Sequence, residues 1–258
     1  MSLKDNPIAM TIAGFDPSGG AGILNDIKTF HALGVYGTAV VTALTAQNVQ
    51  SVKGVMPVST DFIEKQVDAV CEGEKIKYAK TGMLFSDDIV KTVACMAREH
   101  ELKVVVDPVM VAGSGGFLSK DGISRSIKKH LLPIALLATP NIYEAQAISG
   151  VEIKDNEDVI KAALKIGKIC NVVVTGGHLK GSDIFYNGSV KVFEGELVES
   201  ENTHGTGCTY SSAITAYLSK GCNLEESVER AGKFVKESIK WGTFGTLNQF
   251  WKFHGHII

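Results

Sequence analysis

Short apolar runs rich in β-branched residues alternate along the chain with longer stretches whose apolar positions recur every three or four residues. Ile8 to Ala13, Ala39 to Ala43, Ile76 to Lys80, Val104 to Asp107, Leu136 to Thr139 and Val172 to Thr175 predict strands buried on both faces, because little polar alternation interrupts them. The helical period predicts helices over Ile23 to Leu33, Asp61 to Cys71, Asp87 to His100, Ile123 to His130, Ile142 to Ser149 and Asp158 to Ile169. Strand and helix in strict alternation require crossover connections, so the expected fold is α/β with a mostly parallel sheet and helices on both faces. After Gly177 the pattern changes. Asp183 to Phe193 places Asn187-Gly188 between two alternating runs, the strongest short-range hairpin signal, which predicts an antiparallel edge. Two closing helices are expected, Thr206 to Lys220 after a glycine-rich turn and Leu224 to Lys240 after the cap Asn223. No linker or repeat divides the 258 residues, so one domain spanning 1–258 is expected.

Charge and cysteine usage narrow the function class. Twenty-six basic against 28 acidic residues give a net charge of −2, so no overall field favours nucleic acid or an anionic membrane, and a charged small substrate must be held locally. Five cysteines without a CxxC pair argue against a disulfide framework or a cysteine zinc site and point to a reducing compartment. With neither a signal pattern nor a long apolar run, a cytoplasmic protein is expected.

Ligands of open α/β sheets sit outside the carboxyl ends of the strands, where this chain has four polar loops. Gly14-Phe-Asp16-Pro-Ser18-Gly-Gly-Ala-Gly22 follows a strand and opens a helix, but is neither a dinucleotide fingerprint nor a P-loop, and a plain tight turn is the competing reading. Asn202-Thr203-His204-Gly205-Thr206-Gly207-Cys208-Thr209 is the sharpest segment. Glycines at 205 and 207 expose consecutive amides at a helix amino end, an anion hole suited to a phosphoryl group in transfer. Cys208 at the same end is expected to have a lowered thiol pKa and to act as general base; the alternative is a small packing residue. Asp107 and Glu144 end two strand loops and suit the Mg²⁺ that travels with ATP, which takes oxygen ligands and keeps several waters; helix capping is their alternative.

Taken together, TIAGFDPSGGAGILNDIKTF, TALTAQN, TGML, DPVM, TPNIYEA, TGGH and NTHGTGCT resemble, in order and spacing from Ile8 to Phe244, the hydroxymethylpyrimidine and phosphomethylpyrimidine kinases of thiamin biosynthesis. The resemblance implies a ribokinase-like three-layer sandwich and ATP-dependent phosphorylation of 4-amino-5-hydroxymethyl-2-methylpyrimidine and then of its monophosphate. It further implies a pyrimidine pocket of Gly14, Asp26, Gln47, Met83 and Val109, with Cys208 facing the substrate hydroxyl. Gln47 has a chemical rationale, since an amide offers one donor and one acceptor to an aminopyrimidine edge. Gly205, Thr206 and Gly207 would border the transferring phosphoryl group, Asn141, Thr175 and Thr203 the nucleotide, and Asp107 with Glu144 the metal. A homodimer is compatible with the resemblance.

Two positions depart from the pattern. Thr175 stands where many bacterial members carry lysine, and Gly242 to Gln249 follows the glycine-rich tail only loosely, without its proline. A pyridoxal or pyridoxine kinase shares the fold and anion loop and stays open as a substrate alternative. A non-catalytic pyrimidine sensor stays open too, although an intact Gly205-Thr206-Gly207-Cys208 loop argues for the enzyme.

Overall fold

The computed structural model describes residues 6–110, 122–176, 181–195 and 197–253. The chain runs through β1 (Ile8–Phe15), α1 (Gly22–Ala32), β2 (Tyr36–Gln47), β3 (Val52–Pro57), α2 (Thr60–Gly73), β4 (Tyr78–Thr81), α3 (Asp87–Glu99) and β5 (Lys103–Val106). It continues through α4 (Ile123–Ser126), β6 (Ala135–Ala138), α5 (Ile142–Ser149), α6 (Asn156–Ile166), β7 (Val172–Val174), β8 (Asp183–Tyr186), β9 (Val190–Phe193), α7 (Thr206–Ser219) and α8 (Leu224–Lys240).

One sheet orders these strands β3-β2-β1-β4-β5-β6-β7-β8-β9. From β2 to β7 every neighbour is parallel, and the antiparallel pairs lie at the edges. Successive residues of the central strands alternate between two apolar cores, which is why the runs are uninterrupted in sequence. Val104, Val106, Val172 and Val174 pack on one side with Ile63, Ile89, Val93 and Ile142, from α2, α3 and α5. Val105, Leu137 and Val173 pack on the other with Phe30, Ile214, Val228 and Phe234, from α1, α7 and α8. The result is a three-layer sandwich.

Local signals account for the element ends. Ser86 caps α3 by accepting the Ile89 amide at 3.4 Å, and Ile89, Val90, Val93, Ala94 and Ala97 then bury one stripe. Asn223 accepts the Glu226 amide at 2.9 Å and starts α8 as expected. The helix expected over Ile123 to His130 is broken into the short α4, a wider π-type turn at Ile127–Leu131 and a 3₁₀ turn at Leu132–Ile134. Pro133 lacks the amide that would continue an α-helical ladder. Strand β3 was not expected. It pairs antiparallel with the far half of β2, and its exposed Lys53, Gly54 and Met56 carry little of the apolar signal that marks a buried strand. No helix among the described residues is long and apolar enough to cross a membrane.

Candidate active site

The strand order reverses at β1, which has β2 on one side and β4 on the other; ligands favour the carboxyl edge at such a point. There Gly14 backs onto Met83: a Cβ at position 14 would lie 3.0 Å from Met83 Sδ and 3.7 Å from the Ala43 carbonyl. Met83 and Ala43 form a small apolar cluster with Val52, Val55, Phe85 and Val109, separate from the two main cores. Gln47, half-buried, ends β2 opposite Val52, at the rim of this patch. Gly14, Met83 and Val109 are thus brought together with Gln47 beside them.

Asp26 stands in a buried ion-pair network. It is wholly buried, and its carboxylate accepts Thr11 Oγ1 at 2.6 Å, Ser212 Oγ at 2.7 Å and Lys80 Nζ at 3.0 Å from both oxygens. Lys80 projects from β4, equally buried, and its ammonium also lies 3.8 Å from Asp107 Oδ2. Burial opposes the Lys80 charge, but Asp26, Cys208 and Asp107 together hold the ammonium well above its usual range. Ser211 Oγ donates to Asp107 at 3.1 Å. One buried cation therefore ties β4, α1, the loop after β5 and the first turns of α7 together.

The anion loop caps α7 with Gly205 at φ 91°, a left-handed conformation that glycine adopts without strain, and a Cβ there would strike the Gly20 carbonyl at 1.8 Å. The Thr206 amide and hydroxyl turn back to the Thr203 carbonyl at 3.2 and 2.7 Å. The amides of Gly207 and Cys208 have no partner within the helix, as at any helix start, and Gly207 is exposed. A Cβ on Gly207 would lie 4.0 Å from Asp107 Oδ2, so the loop opens beside the carboxylate.

The expected low thiol pKa of Cys208 is not what this environment produces. Burial pushes the thiol up to about 12; Lys80 and the Gly22 amide pull it down, while Asp107 and Asp26 add to the rise. The helix end is there, but so are two carboxylates and the protein packed around the sulfur.

Asp107 and Glu144 stand near one another, and both are buried. Burial raises Asp107, with Lys80 and Ser211 opposing and Asp26 adding to the rise. Burial and the Asp107 charge raise Glu144 from the ordinary 4.5 to about 8, against the Asn141 and Met110 amides. Two close buried carboxylates fit a hydrated divalent cation, which takes one or two carboxylates and leaves its other positions to water and phosphate. Among the described residues no group of three such ligands occurs. Glu144 also performs the capping that competed with the metal reading: it accepts the Asn141 amide at 3.0 Å while Asn141 Oδ1 accepts the Glu144 amide at 3.0 Å. Asn141 bridges to Thr175, whose amide donates to the Pro140 carbonyl at 3.0 Å, whereas Thr203 belongs to the loop that enters α7. Gly177 and His178 of the TGGH segment lie outside the described residues.

A titration experiment follows from Glu144. Its native pKa exceeds its unfolded one, so the native state binds the extra proton between about pH 4.5 and about 8. Stability from this group is full below that window and is lost as pH rises through it. Glu144→Gln retains an acceptor for the cap and should flatten that part of the stability profile in urea unfolding; an unchanged slope would contradict the assignment.

Residues 16–251 match the family model described as phosphomethylpyrimidine kinase. The chain belongs to the phosphomethylpyrimidine kinase family. This kinase is 40% identical over 243 residues to the hydroxymethylpyrimidine/phosphomethylpyrimidine kinase of Staphylococcus aureus strain MSSA476, covering 91% of this chain and 88% of the relative. The structure of phosphomethylpyrimidine kinase from Clostridium difficile 630 matches with a TM-score of 0.80 and 37% identity, over 90% of this kinase and 99% of that chain. A pyridoxal kinase from Bacillus subtilis, solved as an ADP complex, matches with a TM-score of 0.86 and 38% identity, over 95% and 96%.

Sequence reasoning missed three polar groups of the kinase. Lys80 ends an apolar strand run, and a lysine in a buried strand must find carboxylates, which was its available signal. Asp16 and His204 stand in two separate motif loops, and no local feature pairs residues so far apart in sequence.

Proposed function

We propose that the kinase transfers the γ-phosphoryl group of ATP to the hydroxymethyl oxygen of 4-amino-5-hydroxymethyl-2-methylpyrimidine, and then phosphorylates the monophosphate to the diphosphate. The observation that carries this reading is the convergence at the mouth of α7. The exposed start of α7 at Gly207 opens beside the Asp107 carboxylate, which adjoins the Cys208 sulfur and stands two residues from Val109 of the Met83 patch. Phosphoryl transfer asks mostly for positioning and charge stabilisation, and this equipment supplies both.

In this reading Met83 and Val109 pack against the ring, Gln47 reads its amino and ring-nitrogen edge, and Gly14 leaves room for close approach. The hydroxyl oxygen attacks phosphorus, the bond to ADP breaks, and the hydroxyl proton passes to the thiolate form of Cys208, which becomes the thiol. Asp107 and Glu144 would hold Mg²⁺, which supplies neutralising charge at the phosphates. Asn141, Thr175 and Thr203 border the nucleotide. Asp26 acts from behind the pocket through Lys80.

Gln47→Ala should raise KM for the pyrimidine by about 10-fold or more with little change in kcat, since one lost two-point amide contact is worth roughly 1–3 kcal/mol. An unmoved KM in steady-state assays would remove Gln47 from the ring edge.

A second reading, pyridoxal phosphorylation, is favoured by the likeness to the Bacillus subtilis pyridoxal kinase. Magnesium-dependent ATP turnover on hydroxymethylpyrimidine, its monophosphate and pyridoxal, with products identified by mass, separates the two. Turnover confined to pyridoxal would overturn the pyrimidine assignment, and turnover stopping at the monophosphate would remove the second step.

A further inference from the structure

The two polar loops that the kinase reading uses come from opposite ends of the chain, and the His204 side chain is one of the groups that join them. His204 Nε2 lies 2.9 Å from Asp16 Oδ2, across 188 residues of sequence, with both side chains almost wholly buried. Asp16 organises its own loop by accepting the Ser18 amide at 2.8 Å and the Ala21 amide at 3.0 Å. Burial pushes the Asp16 carboxyl up, but bonds from His204 and Ser18 outweigh it and leave the group below its usual range. An ionised carboxylate only accepts, so His204 Nε2 carries the proton and donates.

The junction has no slack. A Cβ on Gly20 would lie 2.3 Å from His204 Cδ2, and one on Gly205, the next residue, would strike the Gly20 carbonyl. From the other side the His204 amide donates to the Gly245 carbonyl at 3.1 Å, and the Asn202 side chain spans the Gly242 carbonyl at 3.1 Å and the Gly245 amide at 2.9 Å. His204 is thus fixed between the first glycine loop and the carboxyl-terminal tail, immediately before the residue that caps α7.

We propose that His204 is a positioning residue that locks the alcohol-binding loop to the phosphoryl-binding loop, so that the two substrates, each held by one of the joined loops, strengthen one another's binding. The inference rests on the kinase reading, with Gly14 to Gly22 serving the pyrimidine and Gly205 to Cys208 the phosphate. Binding free energies coupled through a shared element change reciprocally, by factors of roughly 5 to 150 where such coupling has been characterised. Misplacing catalytic groups by about 1 Å costs on the order of 10²-fold in rate without removing any of them.

The test combines steady-state kinetics with calorimetric titration of ADP in the presence and absence of hydroxymethylpyrimidine. In the wild type, ADP affinity should rise at least about 5-fold when the pyrimidine is present. His204→Ala should leave the affinity for ADP alone within about threefold, lower kcat by about 10²-fold and bring the coupling factor to about 1. His204→Gln keeps an amide donor for Asp16 and should recover most of both quantities. Gly20→Ala, which removes no polar group but pushes the ring aside, should reproduce the alanine phenotype and answers the case in which His204→Ala fails to fold. Wild-type coupling of 1, or full kcat and coupling in His204→Ala, overturns the proposal while leaving the kinase reading intact. A wild-type chain that turns over no ATP with hydroxymethylpyrimidine, its monophosphate or pyridoxal overturns the kinase reading and this inference with it.

Discussion

Cys208→Ala should lower kcat by about 10² to 10⁴ while KM for the pyrimidine and the melting temperature stay close to wild type, because general-base assistance is typically worth that much. The side chain is small and only half-buried by surface area, so its loss leaves little cavity. The surroundings of the sulfur add a sharper expectation. With the thiol pushed up to about 12, the thiolate fraction grows about tenfold per pH unit through the neutral and mildly alkaline range. Wild-type kcat should climb with pH across that range, and the climb should vanish in the alanine variant. Loss of activity in Cys208→Ala with a flat wild-type profile would make the thiol a hydrogen-bonding group that positions the hydroxyl. Undiminished turnover would remove it from the reaction.

The contrast between Cys208 as read from sequence and as found in place defines what was legible. Its helix end was visible because glycine spacing and the apolar period of α7 are local features. Burial reverses the expected shift, and the carboxylates that add to it belong to α1 and to the loop after β5; no local pattern places this packing around residue 208. The same division runs through the fold. Helix α5 occupies Ile142–Ser149 as expected, since an asparagine cap, a glutamate three residues on and a closing Gly150 in the left-handed region mark both ends within a few residues. The Asn187-Gly188 hairpin appears as β8 and β9 for a similarly local reason.

Where the determinant is a long-range contact, the sequence is silent. Strand β3 exists because the far half of β2 needs a partner, not because Val52 to Pro57 carries a strong strand pattern. The tail from Gly242 departs from the family's glycine-rich form, yet it is tied to the site through Asn202 and through Gln249, whose amide meets Asn25 in the pocket of contacts around Thr209.

Lys80→Met should be the most destabilising single change in the site. The methionine nearly preserves volume, so the effect isolates charge: Asp26 is left wholly buried with its closest countercharge gone. Breaking a buried pair from one side costs about 3–5 kcal/mol, which for a chain of this size lowers the melting temperature by roughly 10 °C. Adding Asp26→Asn should return most of that loss, because removing both charges of a buried pair is often close to neutral. Thr11 and Ser212 keep hydroxyls able to bond the new amide. Activity should not return with stability. Asp107 loses the ammonium 3.8 Å away that favours its ionised form, and the thiol of Cys208 loses the cation that most favours thiolate. Calorimetry and kcat measured on the single and double variants separate the two roles: recovery of both together would confine Lys80 to holding the fold. Stability without turnover would place its charge in the chemistry, as the strand, helix and loop that it joins all end at the same mouth.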